Sequence, residues 1–403
     1  MNNKAVILGN NYYIGLSTIR CLGKEGIHTV AMDYSKKERY GATSKYCSEK
    51  VIVPHYKNDT KGFIDALIDY AQKQPVTPVL IPCHDSYVEV IDEYLDTLKE
   101  HYLIPQTEQG LYTTVMNKDT LHKLAVETGN IKVPETVSPD DPDFHEKVRT
   151  EIHFPCLVKP VDTAAFTMKF RTKLFKVHTE EELNDTVEKV RNADLEVIVQ
   201  RIIPGFDDHM YTFDAYLNQD AKVTHWTTAQ KFRQYPINFG ASVYTVQKHV
   251  PGLYEAGAAF LEAIKYKGFA EIEFKKDAET GDFYLIEINA RITNFNALLE
   301  NVGFNVPLIT YKELTGDPAI PYAIMETSNR AFRYWFEDVL AIRNYIKSNQ
   351  LSRKEIRQSL RRPKTNAIWE WNDPKPGFSF VMMMVGKAFN KLFKRPQQDN
   401  PKY

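Results

Sequence analysis

Between Gly268 and Arg291 the chain carries two acidic runs, AEIEFKKD and LIEINAR, whose spacing is suited to holding a metal ion and phosphate. Residues two apart on a strand point to the same face. Glu271 and Glu273 therefore share a face, as do Glu287 and Asn289, with Arg291 following. The segment 277–282 reads as a turn, so a hairpin would set the two acidic faces side by side. Glu273, Glu287 and Asn289 then form a set of hard oxygen donors suited to Mg2+ that also holds phosphate oxygens. Arg291 is placed to steady charge on a transferring phosphoryl group. A solvated hairpin with scattered charges is the plainer account of the alternation. Leu285, Ile286 and Ile288 argue instead for burial, and buried carboxylates need a counter-ion.

Weaker signals lie on either side. Lys159 closes the short apolar run of a VKP motif, where it would act as a point charge on a phosphate. Lys118, opening a helix after Asn117, is a second phosphate candidate. In IVQRIIPGFDDHM, the backbone of Gln200, Arg201, Ile202 and Ile203 could meet an adenine edge while apolar side chains sandwich the ring. Asp207, beyond the Pro-Gly break, is placed for a ribose hydroxyl. His84, Asp85 and Tyr87 follow the VLIPC strand at its C-terminal end, where ligands gather in open α/β sheets. Asp85 there either binds a substrate amino group or caps a helix. Lys231 and Arg233, in AQKFRQY, are expected to share a strand face and grip a carboxylate or acyl phosphate. An exposed strand edge would account for them equally well. Taken singly, each of these signals also fits a plain surface.

The elements that must position these residues follow from periodicity. Strands are predicted at Ala5–Leu8 and His28–Met32, with a helix from Leu16 to Lys24 between them, the opening of a doubly wound sheet. The Gly9–Gly15 loop lacks the middle glycine of a dinucleotide fingerprint, and Tyr12 and Tyr13 crowd the space a pyrophosphate needs. Further strands are expected at 50–53 and 79–82, then at 156–159, 170–177 and 196–201. Residues 211–247 alternate as antiparallel sheet, and strands at 270–275 and 283–289 close the hairpin. The parts divide at 1–110, 111–200, 201–325 and 326–403.

Taken in order, Lys118, Lys159, the Gln200–Asp207 run, Glu273 and the closing Glu287-Ile-Asn289-Ala-Arg291 resemble the ATP-grasp superfamily over residues 1–315. That resemblance implies an α/β architecture: a Rossmann-like pre-ATP-grasp domain, a small α+β lid and a larger C-terminal lobe with antiparallel sheet. It also implies ATP and Mg2+ held between lid and lobe. Lys118 and Lys159 would contact phosphates, Gln200–Ile203 the adenine, Asp207 the ribose, and Glu273, Glu287 and Asn289 the magnesium. Arg291 would touch an acyl phosphate. The chain departs from the family at Asp162–Phe170, DTAAFTMKF, where many members have a glycine-rich lid loop and this one has no glycine. Lys169, Lys173 or Lys176 would supply charge in its place. Within the superfamily the ILG start, IPCHDSYVEVI, the MNK helix and IVQRIIPGFDD look most like the D-aspartate ligases of Gram-positive peptidoglycan synthesis. The implied activity is carboxylate–amine ligation, with an amino acid as one substrate and a lysine-containing cell-wall precursor as acceptor. Dipeptide formation, or a nucleotide-binding module without catalysis, stays open as an alternative.

Bulk properties set the outer limits. A chain of 403 residues is long enough for two or three packed units. Its net charge of -1 gives no reason to expect a nucleic-acid partner. Four widely spaced cysteines suggest neither a zinc site nor a disulfide framework, which fits a reduced, cytoplasmic protein. From Ala331 onward, 15 Lys and Arg face 6 Asp and Glu. Residues 378–393, FSFVMMMVGKAFNKLF, read as an amphipathic helix that either packs on the protein or lies at the inner face of a membrane.

Overall fold

The computed structural model describes residues 3–36, 40–106, 108–238, 240–322 and 327–393. Three sheets organise them. The first is parallel, in the order β3-β2-β1-β4, from β1 (Ala5–Leu8), β2 (Thr29–Asp33), β3 (Glu49–Ile52) and β4 (Val79–Pro82). Every residue of β1 and β2 is buried, as expected where helices cover both faces of a parallel sheet. The following helix starts at Tyr13, three residues before the predicted Leu16. Gly15 permits this, since a Cβ there would lie 2.4 Å from the Gly9 carbonyl oxygen. Tyr13 packs against Tyr334, ring centroids 4.8 Å apart.

The second sheet, antiparallel in the order β5-β8-β6-β7, contains β5 (Thr136–Val137), β6 (Cys156–Pro160), β7 (Phe175–Val177) and β8 (Val197–Arg201). The predicted strand over 170–177 shrinks to β7, because the chain before it is helical from Thr163 to Phe170. The segment expected as a lid loop is thus a helix. Without glycine the backbone has little reason to stay open. Asp162 accepts a hydrogen bond from the Ala165 amide at 3.0 Å, an N-terminal cap. Phe166 is fully buried, against Phe170 and Phe175.

The third sheet has seven strands in the order β13-β12-β9-β10-β11-β14-β15. They are β9 (Met210–Leu217), β10 (Val223–Tyr235), β11 (Ala241–Gln247), β12 (Gly268–Lys276), β13 (Phe283–Asn289), β14 (Ala331–Arg333) and β15 (Lys364–Asn366). The last two come from the part expected to be an extension. β14 pairs antiparallel with β11, and β15 parallel with β14. The helix Trp335–Lys347 lies against β10. Further on, Asp373 accepts from Arg20 Nε at 3.0 Å, while Arg20 Nη1 donates to the Ile368 carbonyl at 2.9 Å. The C-terminal part therefore ties the first sheet's opening helix to the third sheet.

The final helix, Lys375–Phe393, has two characters. Phe380 is buried among Tyr40, Tyr334 and Phe336. Phe378, Met382, Val385 and Phe389, spaced by four, three and four residues, are exposed. Among the described residues no helix is long and apolar enough to cross a membrane.

Candidate active site

The second and third sheets, with the start of the helix that follows β4, border a cleft with a volume of about 1480 Å3. Its floor is the β12–β13 hairpin. The register sets Glu273 opposite Glu287 and Glu271 opposite Asn289, so the acidic faces expected from the sequence meet. Asn289 Nδ2 donates to Glu273 Oε1 at 3.3 Å and to Glu271 Oε1 at 3.5 Å. From β10, two strands away, Lys231 reaches in to form a buried ion pair with Glu273, and its ammonium lies 3.9 Å from Glu271.

The cluster holds more carboxylate than one ammonium balances. Burial pushes the Glu273 carboxyl up to about 8; Lys231 draws it down, while Glu287 and Glu271 add to the rise. Lys231 is lowered by burial but raised more by Glu273 and Glu271, and ends above the usual lysine range. Glu287 behaves oppositely to Glu273. Burial raises it, yet Lys118, Lys231, Lys173 and Lys159 together hold it below the ordinary value. Glu271 Oε2 is buried and has no hydrogen-bond partner among the described residues. Crowded oxygen donors with an orphaned carboxylate oxygen fit Mg2+. Among the described residues no three His, Cys, Asp or Glu side chains form a metal cluster by themselves, so Asn289 and phosphate oxygens would complete the shell.

The opposite wall is cationic. Lys159, on β6, is buried and donates to Gln200 Oε1 at 2.5 Å. Burial, then the neighbouring Lys118, lowers its pKa to about 7. Gln200 Nε2 in turn donates to Thr136 Oγ1 at 2.9 Å. Arg201 pairs with Glu135 and stacks 5.0 Å from the Tyr284 ring centroid. Gln200, Arg201, Ile202 and Ile203 all border the cleft, as do Lys118, Lys173 and Lys176; Lys169 does not. Asp207 is also on the wall. Its Oδ2 accepts from the Asn238 amide at 2.8 Å and from the Tyr345 hydroxyl.

At the far end, Arg291 Nε lies 2.7 Å from Asp85 Oδ1, and Arg291 Nη2 donates to Asn289 Oδ1 at 3.3 Å. Burial lowers the guanidinium pKa, but Asp85 and Glu271 raise it further, so Arg291 stays charged. Asp85 is the first residue of its helix. The cap is His84, whose ring accepts from the Ser86 amide at 3.3 Å. Both His84 and Asp85 face the cleft.

Two expected residues lie elsewhere. Tyr87 is buried under the first sheet, its ring 4.8 Å from Tyr56 and 5.8 Å from Phe63, one helical step off the cleft-facing side. Arg233 does not share a face with Lys231. The β10–β11 register shifts between them, turning Arg233 away from the cleft to a fully buried pair with Asp338 at 2.5 Å. The structure also adds Glu271, Ser242, Asn294 and Gln350 to the lining. Glu271 was marked by its two-residue offset from Glu273. The others carry no local pattern, and tertiary folding alone brings them in.

The residues 131–306 match the family described as D-ala D-ala ligase C-terminus. A D-aspartate ligase of Enterococcus faecium is 27% identical over 254 residues, covering 60% of each chain. The chain thus spans about three-fifths of that relative's length. Among solved structures, the biotin carboxylase domain of Hydrogenobacter thermophilus 2-oxoglutarate carboxylase, crystallised with MgADP and bicarbonate, superposes with a TM-score of 0.65. Its identity is 17%, over 82% of this chain and 74% of that one. N5-carboxyaminoimidazole synthetase of Staphylococcus aureus gives 0.61 at 16% identity, over 81% and 82%. A cationic lid facing an acidic hairpin, beside a parallel-sheet domain, is the arrangement of the ATP-grasp class, and this chain has the fold of that class. Within that class its sequence is similar to carboxylate–amine ligases.

Proposed function

We propose that the chain is an ATP-dependent carboxylate–amine ligase. The observation that carries this is the facing of walls: Glu287, paired across the hairpin with Glu273, is held ionised by lysines from both sides of the cleft. Such a gap suits a triphosphate. Lys118 and Lys159 would neutralise its oxygens, Gln200–Ile203 would meet the adenine, and Asp207 the ribose. Glu273, Glu287 and Asn289 would hold Mg2+, which when bound offsets phosphate charge as the terminal phosphoryl group moves.

The chemistry proceeds in two steps. A carboxylate oxygen of the amino acid attacks the γ-phosphorus, the bond to the β-phosphate oxygen breaks, and ADP leaves. An amine then attacks the acyl carbon, inorganic phosphate departs with the bonding pair, and the ammonium proton passes to solvent. One difficult condensation becomes two accessible displacements. Arg291 would steady charge at the acyl phosphate, with Lys231 beside it, and Asp85 and His84 would receive the amino acid.

D-aspartate, activated at its β-carboxylate, is the proposed acid, and the lysine ε-amine of a peptidoglycan precursor the acceptor. The name of the Enterococcus faecium relative supports this choice. A cytoplasmic enzyme fits these substrates, with the exposed Phe378, Met382, Val385 and Phe389 stripe as a peripheral contact to the inner membrane face. The test is ADP release with MgATP across D- and L-amino acids, with and without a lysine-containing precursor. Release that needs both D-aspartate and precursor, with a product heavier by one aspartyl residue, is expected. Release with another amino acid would discard D-aspartate and keep the ligase. No release with any pair, despite ATP binding, would remove the ligase reading.

A further inference from the structure

The C-terminal part reaches the nucleotide end of the cleft by two residues that no ATP-grasp motif in the sequence marks. The first is Tyr345, on the helix Trp335–Lys347, buried with 1% of its surface exposed. Its hydroxyl accepts from the Gln234 amide of β10 at 3.0 Å and donates to Asp207 Oδ2. One oxygen thus ties the helix, the central sheet and the Asp207 carboxylate together. The Asn238 amide meets the same Oδ2 at 2.8 Å. Among the described residues Asp207 accepts these two hydrogen bonds on the one oxygen, and the residue itself lines the cleft. On the nucleotide reading, Oδ1 is the oxygen that would meet the ligand.

The second is Gln350, just past the same helix, also on the cleft wall. Its Oε1 is buried and has no hydrogen-bond partner among the described residues. An unpaired buried amide oxygen costs free energy unless a ligand or water meets it, and a sugar hydroxyl can donate to it. The wall between Asp207 and Gln350 therefore presents a carboxylate oxygen and an amide oxygen, both acceptors, to whatever binds there.

We propose that the C-terminal part completes the nucleotide site: Tyr345 is a positioning residue that fixes Asp207 toward the ribose, and Gln350 accepts from a ribose hydroxyl on the same wall. This rests on the reading of the cleft as a nucleotide site and deepens it, giving the segment after residue 325 a place in ATP selection.

The experiment compares MgATP, Mg-2′-deoxy-ATP and Mg-3′-deoxy-ATP binding to the full chain by calorimetry, for the unmodified protein, Tyr345→Phe and Gln350→Ala. The unmodified chain should prefer MgATP to at least one deoxy nucleotide. Each variant should weaken MgATP about tenfold, the loss of roughly one hydrogen bond to a charged or buried group. Each should leave that deoxy nucleotide nearly unaffected, so the preference collapses. A purely structural role would weaken all three nucleotides alike, and that result overturns the proposal, as does unchanged MgATP affinity in both variants. Should Tyr345→Phe fail to fold, the selectivity of Gln350→Ala decides. No MgATP binding by the unmodified chain would instead sink the nucleotide reading itself.

Discussion

Arg291, at the end of the β13 motif, and Asp85, at the start of a helix from the first sheet, form an ion pair at 2.7 Å although 206 residues separate them. The pair joins the proposed acyl-phosphate position to the proposed amino-acid position. It also means that Asp85 is already balanced before substrate arrives, so an incoming ammonium group would share it with the guanidinium.

Removing either partner should therefore have a different effect. On the proposed mechanism, Arg291→Met takes away charge stabilisation developed during phosphoryl and acyl transfer. It should lower kcat about 10²–10³-fold, the usual cost of one such group, while MgATP affinity changes little. Asp85→Asn should act mainly on KM for the amino acid. Steady-state kinetics with ATP and amino acid varied separately would check this. Equal losses in both parameters for both variants would mean that the pair only holds the domains together.

Glu287→Gln probes the acidic hairpin. The substitution keeps the shape but removes the charge that four lysines hold in place. ADP release should fall below detection at ordinary Mg2+, while the folded state persists, since the position faces a cleft rather than a packed core. Turnover at the unmodified rate would take this carboxylate out of the mechanism.

How far the sequence could be read depends on how local each signal was. The hairpin was legible because a period of two and a turn fix which side chains meet, and Glu273 opposite Glu287 follows. Lys159 and Gln200 were legible as strand-end positions, though not their mutual hydrogen bond. Arg233 was misread because one register shift in β10 turns a side chain to the other face. The family's lid loop gave no sign of the Thr163–Phe170 helix, although the lack of glycine marked a departure there. Tyr345 and Gln350 were invisible, since nothing near them in sequence announces a contact with Asp207 or the cleft.

The lysine wall predicts a pH dependence. Burial and Lys118 place the Lys159 pKa at about 7. A bound polyphosphate favours the charged form and raises that value. Affinity for MgATP should then be greatest below about pH 7 and decline as pH rises from there toward the bound-state value. Calorimetry near pH 8 in buffers of different ionisation enthalpy should show proton uptake on binding. Lys159→Met should abolish most of that uptake. Uptake unchanged in the variant would assign the proton to another group.

Arg233 offers the sharpest separation of fold from chemistry. Its guanidinium is fully buried, 2.5 Å from Asp338, donates to Ser359 Oγ at 2.7 Å, and lies 4.1 Å over the Tyr244 ring. Arg233→Met would leave Asp338 buried with Arg333 as its remaining cationic partner, at 2.6 Å. Breaking such a pair from one side costs about 3–5 kcal/mol, and the second arginine should bring the loss toward the lower end. Chemical denaturation would measure it. Replacing both members, Arg233→Met with Asp338→Leu, removes the uncompensated charge and should recover part of the stability, though Arg333 then lacks its partner. At temperatures where each variant stays folded, kcat should match the unmodified chain within about threefold, since no atom of Arg233 borders the cleft. A large fall in kcat with intact folding would return Arg233 to the reacting groups, and the face assigned to it by the β10 register shift would then be wrong.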